Sequence, residues 1–516
     1  MRPELDGLHD QHFDVIIFGG GINGASSAYQ LTAAGYKTLL VEKADFGSGA
    51  SSRSSRLLHC GLMYLAPYDS FGAMLLHPGH VIEGIQMARY AMRGRDNFTR
   101  HLAHRFDPFP FYFPLSTDQP YSPSQVKTGL KILQALYRKG PPLKYDHLDL
   151  PAAQKIPFLK LVSNQERLLG AIRLEEYKYN WPERIVMDYV LGAEAAGATV
   201  RNYTAVEKLE RAESGRWKVS LRDTTPNTNA GVAVSADLIL NLTGVWTDTV
   251  NRLGDSKPSP KVGMTKGVHI AVKLAPEFHG SGFVAMQKDG KGPFFCVPWY
   301  DTHYIGPTRT RFDEDIDDVR PTEQDIQTLL DDTANLLPGL RLTRSQVLYA
   351  WAGVRPQTFD PTHPLGAAHA RKLHDLAAEG MPNVFAITSS PIMYERQTGE
   401  EMLALARKKV SPSRERKNGL PPLAARQNER DILMDVDKNV ASLRDIATQE
   451  HCVSLIDLLC RRLGACWQEG QGLGIAPRVA EIVAPVMGWD SGVVKREAGD
   501  YRTYMERFFL GPFAQA

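Results

Sequence analysis

A strand, a glycine turn, a helix, a second strand and an acid succeed one another between residues 13 and 42, and nothing else in the chain constrains the fold as much. Phe13–Phe18 (FDVIIF) is a short apolar, β-branched run that reads as a buried strand. Gly19-Gly-Gly-Ile-Asn-Gly24 follows and matches G-x-G-x-x-G at Gly19, Gly21 and Gly24. Ala25–Ala34 reads as a helix of small residues, Lys37–Val41 as a second strand, and Glu42 ends it. The glycines serve different physical ends. Gly19 permits the tight turn, Gly21 lets the backbone approach a pyrophosphate, and Gly24 allows close helix–strand packing. The helix N-terminus offers free N–H groups and partial positive charge to phosphates. Glu42 stands 18 residues past Gly24, where a carboxylate accepts hydrogen bonds from both ribose hydroxyls and disfavours a 2′-phosphate. The bland alternative is a βαβ unit with a glycine turn; the flanking strand, helix and acid weigh against it.

The rest of the composition narrows the class. The 516 residues are 43% apolar and 23% charged, which excludes a disordered, collagen-like or coiled-coil protein. A net charge of +2 gives no footprint for nucleic acid. No run of 18 apolar residues is present to span a membrane. Cys60, Cys296, Cys452, Cys460 and Cys466 form no C-x-x-C pair and fit free thiols in a reducing compartment. The N-terminus is polar and acidic, unlike a signal peptide, so a cytoplasmic protein is expected, with peripheral membrane contact left open.

Two further stretches suit a flavoprotein. Gly47–Gly61 is dense in glycine and serine and then turns apolar, reading as a loop that enters a helix and makes a second diphosphate contact. Leu238–Leu242 (LILNL) reads as a late strand returning to the nucleotide domain and ending in Thr243-Gly244. Ala198–Val206 reads as one more strand, its end over the adenine.

The chain resembles the FAD-dependent glycerol-3-phosphate dehydrogenases, the flavin and quinone type. The resemblance rests on GGGINGA at Gly19, SSRSSRLLHCGLMYL at Ser51, NLTGVWTD at Asn241 and TKGVHI at Thr265. It continues through FCVPWYDTHYIGPT at Phe295, WAGVRP at Trp351, SLIDLLCRRLG at Ser454 and GWD at Gly488. It implies that Gly19, Gly21, Gly24 and Glu42 hold the ADP half of FAD. Ser51, Ser52, Ser55, Leu58 and His59 match the stretch along the diphosphate, ribityl chain and isoalloxazine. Val206, Thr243 and Gly244 complete the cofactor site, with Ser390 and Ile392 counted to it as well. His59 has a sharper reading, a covalent flavin link; FAD held without a bond is the expectation, and no metal is implied.

The resemblance also implies the catalytic groups. Oxidising a secondary alcohol needs a base for the hydroxyl proton while hydride leaves for the flavin. His269 matches a position near the substrate; the bland reading is a strand histidine satisfied by hydrogen bonds. Arg355 matches the arginine that binds substrate and stabilises an alkoxide, and a structural ion pair is its alternative. Tyr64 matches a residue lining the site. Four positions depart from the pattern. Met63 stands where the family has an arginine, Pro391 replaces a lysine, Met393 a threonine and Cys60 a glycine. Two cations expected around a phosphate are therefore missing. Arg309 and Arg311 stand where the family has an acid nearby; they either restore positive charge or are solvated surface residues. Glycerol 3-phosphate is expected to be oxidised poorly unless one of them moves in.

The expected architecture is α/β: a Rossmann-like FAD-binding domain, an inserted α+β substrate domain and a helical C-terminal domain. Residues 1–70, 170–265 and 350–410 are assigned to the first, 71–169 and 266–349 to the second, and 411–516 to a linker and the third. Phe106–Leu115, rich in aromatics and proline, reads as core packing or a pocket wall. Lys408–Asp431 reads as a linker, and Ile446–Leu463 and Pro477–Met487 carry helical spacing. The expected activity is oxidation of a small polyol or polyol phosphate to a ketone, with electrons passing to quinone, another carrier or oxygen. A flavoprotein that keeps the cofactor but has lost catalysis is the alternative; a homodimer is left open.

Overall fold

The computed structural model describes residues 2–65, 78–117, 122–137, 140, 142–226, 228–254, 256–287, 292–363, 365–416, 419–423 and 429–509. Parts of the expected boundary at residue 70 and of the Lys408–Asp431 linker lie outside them. The chain divides into two compact units: residues 1–52, 181–264 and 355–505, and residues 53–180, 265–354 and 506–516. The strands Val262–Val272 and Val347–Phe359 each carry the chain from one unit to the other.

The first unit is built on β1 (His12–Phe18), α1 (Ile22–Ala33) and β2 (Thr38–Val41). β1 runs parallel to β2 on one side and to Gly231–Asn241 on the other, with Phe18 opposite Val41 and Asn241. Thr199–Arg201 extends this parallel set beyond β2, and Val384–Thr388 extends it beyond Gly231–Asn241. A parallel sheet needs apolar residues on both faces, and all but the first residue of β1 are buried. Strand order reverses at β1, so its carboxyl end opens onto the crevice where doubly wound sheets bind ligands.

α1 starts three residues earlier than its small-residue run suggests, because Gly21 in extended backbone can act as the cap. Its small side chains let neighbouring helices approach closely. A Cβ on Gly399 would lie 2.8 Å from the Ser26 hydroxyl, and Ser26 donates to the Glu395 carbonyl at 2.8 Å.

Ala198–Val206 is two strands rather than one, Thr199–Arg201 and Thr204–Arg211. The break falls at Tyr203, whose φ of +46° is a left-handed conformation no extended strand contains. Asn202 fixes the corner by donating to Asp45 at 3.0 Å and to the His451 carbonyl at 2.8 Å.

In the second unit a large mixed sheet carries the helices Pro78–His101, Pro123–Leu136 and Glu323–Leu336. Phe106–Ser116 is a strand despite its prolines, paired antiparallel with Leu168–Tyr179. Pro108, Pro110 and Pro114 occupy alternate positions, so the N–H groups they lack all belong to the same edge. The helix expected after the serine-rich loop does not form there. Leu57-Leu58 instead pairs as a short strand with Lys178 and Tyr177, and Leu62–Leu65 makes one 3-10 turn.

The C-terminal region is helical: Val440–Gln449, a wide turn at Asp457–Arg462, Ala476–Met487 and Ser491–Phe508. Residues up to 505 group with the first unit, and a buried ion network explains why. Asp45, three residues past Glu42, accepts from Arg462 at 2.6 and 2.7 Å and also from Arg461. Arg461 reaches on to Asp457, which takes the Tyr203 hydroxyl at 2.8 Å. Burial alone would raise the Asp45 carboxyl; the charges of Arg462 and Arg461 outweigh it and hold the group well below the usual range. No helix among the described residues is long and apolar enough to cross a membrane.

The buried acid Glu395 makes no ion pair among the described residues. Glu395, 1% exposed, accepts from Tyr189 at 3.3 Å through Oε1, and Oε2 has no hydrogen-bond partner among the described residues. Burial pushes its pKa up to about 8. From the ordinary carboxylate range up to that value the folded chain binds more protons than the unfolded chain. Stability therefore falls with rising pH across that window, by up to about 1.4 kcal/mol per pH unit. Urea titrations at pH 5.5 and 8.5 are expected to show a loss in the parent protein that Glu395→Gln does not share.

Candidate active site

The dinucleotide cradle lies entirely in the first unit. Gly19, at φ +98°, meets Leu242 and Thr243: a Cβ there would lie 2.7 Å from the Leu242 carbonyl oxygen. On Gly24 a Cβ would lie 1.9 Å from the Gly19 carbonyl oxygen, so β1 and α1 meet as they do only because residue 24 is glycine. Gly21 differs. Among the described residues only the Ser51 hydroxyl comes within 4 Å of its ideal Cβ, at 3.3 Å, which leaves that backbone face room for a ligand. Ser51 accepts from the Ile22 N–H at 3.0 Å and so adds a hydroxyl to the start of α1. Ser52 instead turns inward, donating to the Gly49 carbonyl at 3.1 Å.

Glu42 directly follows β2. Its carboxylate accepts from the Gly20 N–H at 2.8 Å and the Ala44 N–H at 3.0 Å, one bond to each oxygen. Each oxygen keeps a second lone pair, the capacity two ribose hydroxyls require. Burial raises the Glu42 pKa, an effect those two N–H donors oppose. Thr204 N–H donates to the Glu42 carbonyl at 2.7 Å, which sets half-buried Val206 on the strand beside the end of β2.

Thr243 and Gly244 face the same turn. Asn241 organises them: its side-chain oxygen accepts the Thr243 hydroxyl at 2.6 Å and its amide donates to Asn251 at 2.8 Å. Ser390 docks on α1, its carbonyl taking the Asn23 amide at 2.8 Å and its hydroxyl bonding Thr398 at 2.8 Å. Ile392 and Met393 are buried, at 7% and 2% exposure, so Met393 packs inside the unit and offers no surface to a substrate. Pro391 is exposed, and Arg355 is half-buried on its strand next to Pro356, whose carbonyl takes the Ser389 N–H at 2.8 Å.

The remaining residues belong to the second unit. His269 is 1% exposed and lies flat on Trp351, with ring centroids 4.9 Å apart and planes 12° apart. Its Nε2 shares a hydrogen bond of 3.1 Å with the Ser55 hydroxyl. Tyr304 donates to the Ser55 carbonyl, fixing the residue that meets the histidine. The structure thus joins Ser55 to His269, a pairing invisible in sequence 214 residues apart. Leu58 is fully buried in its short strand. His59 sets its ring edge-on to Tyr64 at 5.5 Å, and burial lowers its pKa, favouring the neutral form. Tyr64 packs against the core beside half-buried Met63. Arg311 is exposed and paired with Asp313 at 2.7 Å, the fate expected of a surface arginine, whereas Arg309 is half-buried.

Sequence reasoning missed Asn23, Asn241, Tyr304 and Trp351 as supports. All four stand inside or next to the quoted motifs, which was the available signal. At the far end of β1, His12, Asp14 and Asp237 lie close enough to share an ion. Asp14 there accepts from the Lys37 N–H at 2.7 Å and from Ser413 at 2.8 and 2.9 Å, which accounts for it as a structural acid.

Comparison with known proteins agrees with the cradle. A glycerol-3-phosphate dehydrogenase of Synechocystis is 29% identical over 406 residues, covering 77% of this chain and 70% of that one. The structure of a Bacillus halodurans glycerol-3-phosphate dehydrogenase complexed with FAD superposes with a TM-score of 0.68 at 20% identity, covering 98% and 96% of the two chains. An L-α-glycerophosphate oxidase of Mycoplasma pneumoniae with FAD bound gives 0.57 at 18% identity, covering 80% and 99%. Residues 14–392 of the 516 match the model of the FAD dependent oxidoreductases, and the chain belongs to that family.

Proposed function

We propose that the protein oxidises a secondary alcohol of a small polyol or polyol phosphate to the ketone. The observation that carries this reading is the His269–Ser55 pair in a chain of FAD dependent oxidoreductase type. Alcohol oxidation removes a proton from oxygen and a hydride from carbon. Bound FAD supplies the two-electron acceptor. His269 takes the hydroxyl proton, and its bond to Ser55 holds the imidazole ring in place. Arg355 binds the substrate oxygen and stabilises charge that develops on it. The similarity to named glycerol-3-phosphate dehydrogenases and a glycerophosphate oxidase supports the substrate class. Reoxidation by quinone, another carrier or oxygen completes the cycle, in the cytoplasm or at the inner face of its membrane. The survival of His269 and Arg355 favours an enzyme over a flavoprotein that only binds its cofactor.

Anaerobic mixing of the holoprotein with polyols and polyol phosphates tests the reading: the flavin band at about 450 nm is expected to bleach. Arg355→Ala is expected to keep the bound-flavin spectrum and slow bleaching by roughly two orders of magnitude, the worth of a charge-assisted bidentate contact. His269→Asn is expected to slow it as well. Flavin that stays oxidised with every alcohol tried would sink the proposal.

A further inference from the structure

Three cations stand on two paired segments of the second unit, and two of them are paired with acids. Lys266 bonds Asp325 at 2.7 Å, and Arg311 bonds Asp313 at 2.7 Å. The strand Thr310–Arg311 lies antiparallel to Thr265–Lys266, with Arg311 opposite Thr265 and Thr310 opposite Lys266, so Arg311 and Lys266 lie on opposite faces of the sheet. Arg309 is the third. Its guanidinium makes no hydrogen bond or ion pair among the described residues, and Nη2 is withdrawn from water with no partner at all. Burial lowers its pKa, and no acid opposes that effect. A guanidinium half-withdrawn from water without a counter-charge is costly, and the donors on its buried Nη2 stand unused among the described residues.

Its backbone position is fixed relative to the strand that bears His269. Thr308, the preceding residue, is bonded to Val268 twice: its N–H donates to the Val268 carbonyl at 3.0 Å, and its hydroxyl accepts the Val268 N–H at 2.9 Å. Gly306 presses on the histidine ring, where a Cβ would come within 2.8 Å of Cδ2. The segment leading to Arg309 is therefore clamped onto the strand that bears His269, and, the two running antiparallel, His269 and Arg309 flank the clamp on opposite sides.

We infer that Arg309 is the anion receptor of the substrate site, binding a phosphate or carboxylate carried by the alcohol that His269 deprotonates. The inference rests on the function proposed above and adds to it that the substrate is an oxyanion, recognised from an arginine on a different segment from Met63 and Pro391. A planar fork of N–H donors matches both oxyanions and is wasted on a neutral polyol.

Calorimetric titration of the FAD-loaded protein with inorganic phosphate, and separately with acetate, tests it without turnover. Saturable binding of at least one is expected, and the tighter of the two tells phosphate ester from hydroxy acid. Arg309→Gln is expected to weaken that binding by about tenfold or more, the effect of losing one charged hydrogen bond. Arg309→Lys keeps the charge without the fork and is expected to give a smaller loss, with the flavin spectrum as evidence of an intact fold. Arg311→Gln is expected to bind as the parent does. Absence of binding to either anion, or equal binding by Arg309→Gln, overturns the inference. Arg309-dependent anion binding in a protein whose flavin no alcohol reduces would uphold the receptor and sink only the proposed reaction.

Discussion

Gly24→Ala is expected to give a colourless protein. The added Cβ would lie 1.9 Å from the Gly19 carbonyl oxygen, far inside van der Waals contact. Relief requires α1 and the end of β1 to part, yet both are buried along almost their whole length. Overpacking of this kind costs about 1–3 kcal/mol or more. It also displaces the N–H groups at the start of α1 that face the pyrophosphate. The ratio of absorbance at about 450 nm to that of the protein measures the result, cofactor absorbance being the readout. Gly21→Ala is the instructive partner. Its Cβ has only the Ser51 hydroxyl nearby, so the apoprotein should melt as the parent does while FAD binds less tightly. Full flavin occupancy in Gly24→Ala would mean that the close approach of β1 and α1 is not needed for FAD.

Arg462→Met carries the second large effect. Arg462 gives two hydrogen bonds to Asp45 and one, at 2.9 Å, to the Glu450 carbonyl, and its side chain has no exposed surface. Removing one partner of a buried pair costs about 3–5 kcal/mol, because the remaining charge stays buried. Arg461 still reaches Asp45, which places the expected loss toward the lower end. A fall in melting temperature of about 5 °C is expected. Flavin should be lost before the melt, since Phe46, the neighbour of Asp45, packs on Gly20: a Cβ on that glycine would lie 2.5 Å from its ring. The double variant Asp45→Asn, Arg462→Met should recover part of the loss by removing the orphaned charge. A double variant no more stable than the single would show that Arg462 acts through packing instead.

What the sequence revealed was local. The strand, glycine turn and helix could be read because the three glycines report contacts within a few residues, and Glu42 because its spacing from Gly24 is set by one helix and one strand. The unread parts depend on distant partners. The corner at Tyr203 exists because Asn202 is held by Asp45 and by His451, 249 residues away. Leu57-Leu58 looked like the entry to a helix because Leu suits either structure, and only Lys178 and Tyr177 decide for a strand. Met393 looked like a pocket residue from its place in a motif, but its burial depends on helices that the motif does not describe. Arg461 and Arg462 stand in a stretch read only for its helical spacing, and nothing in their surroundings in sequence points to Asp45.

That last pairing sets a schedule for biosynthesis. Asp45 and Arg461 are 416 residues apart, so at about 5–20 residues per second the acid leaves the ribosome roughly 20–80 s before its first cation. Over that interval the nascent nucleotide-binding segment carries a carboxylate whose native burial has no compensation, and the loop beside Glu42 stays unlocked. A chain interrupted before residue 461 leaves Asp45 without these cations, and such a chain is expected to retain less flavin than the full one.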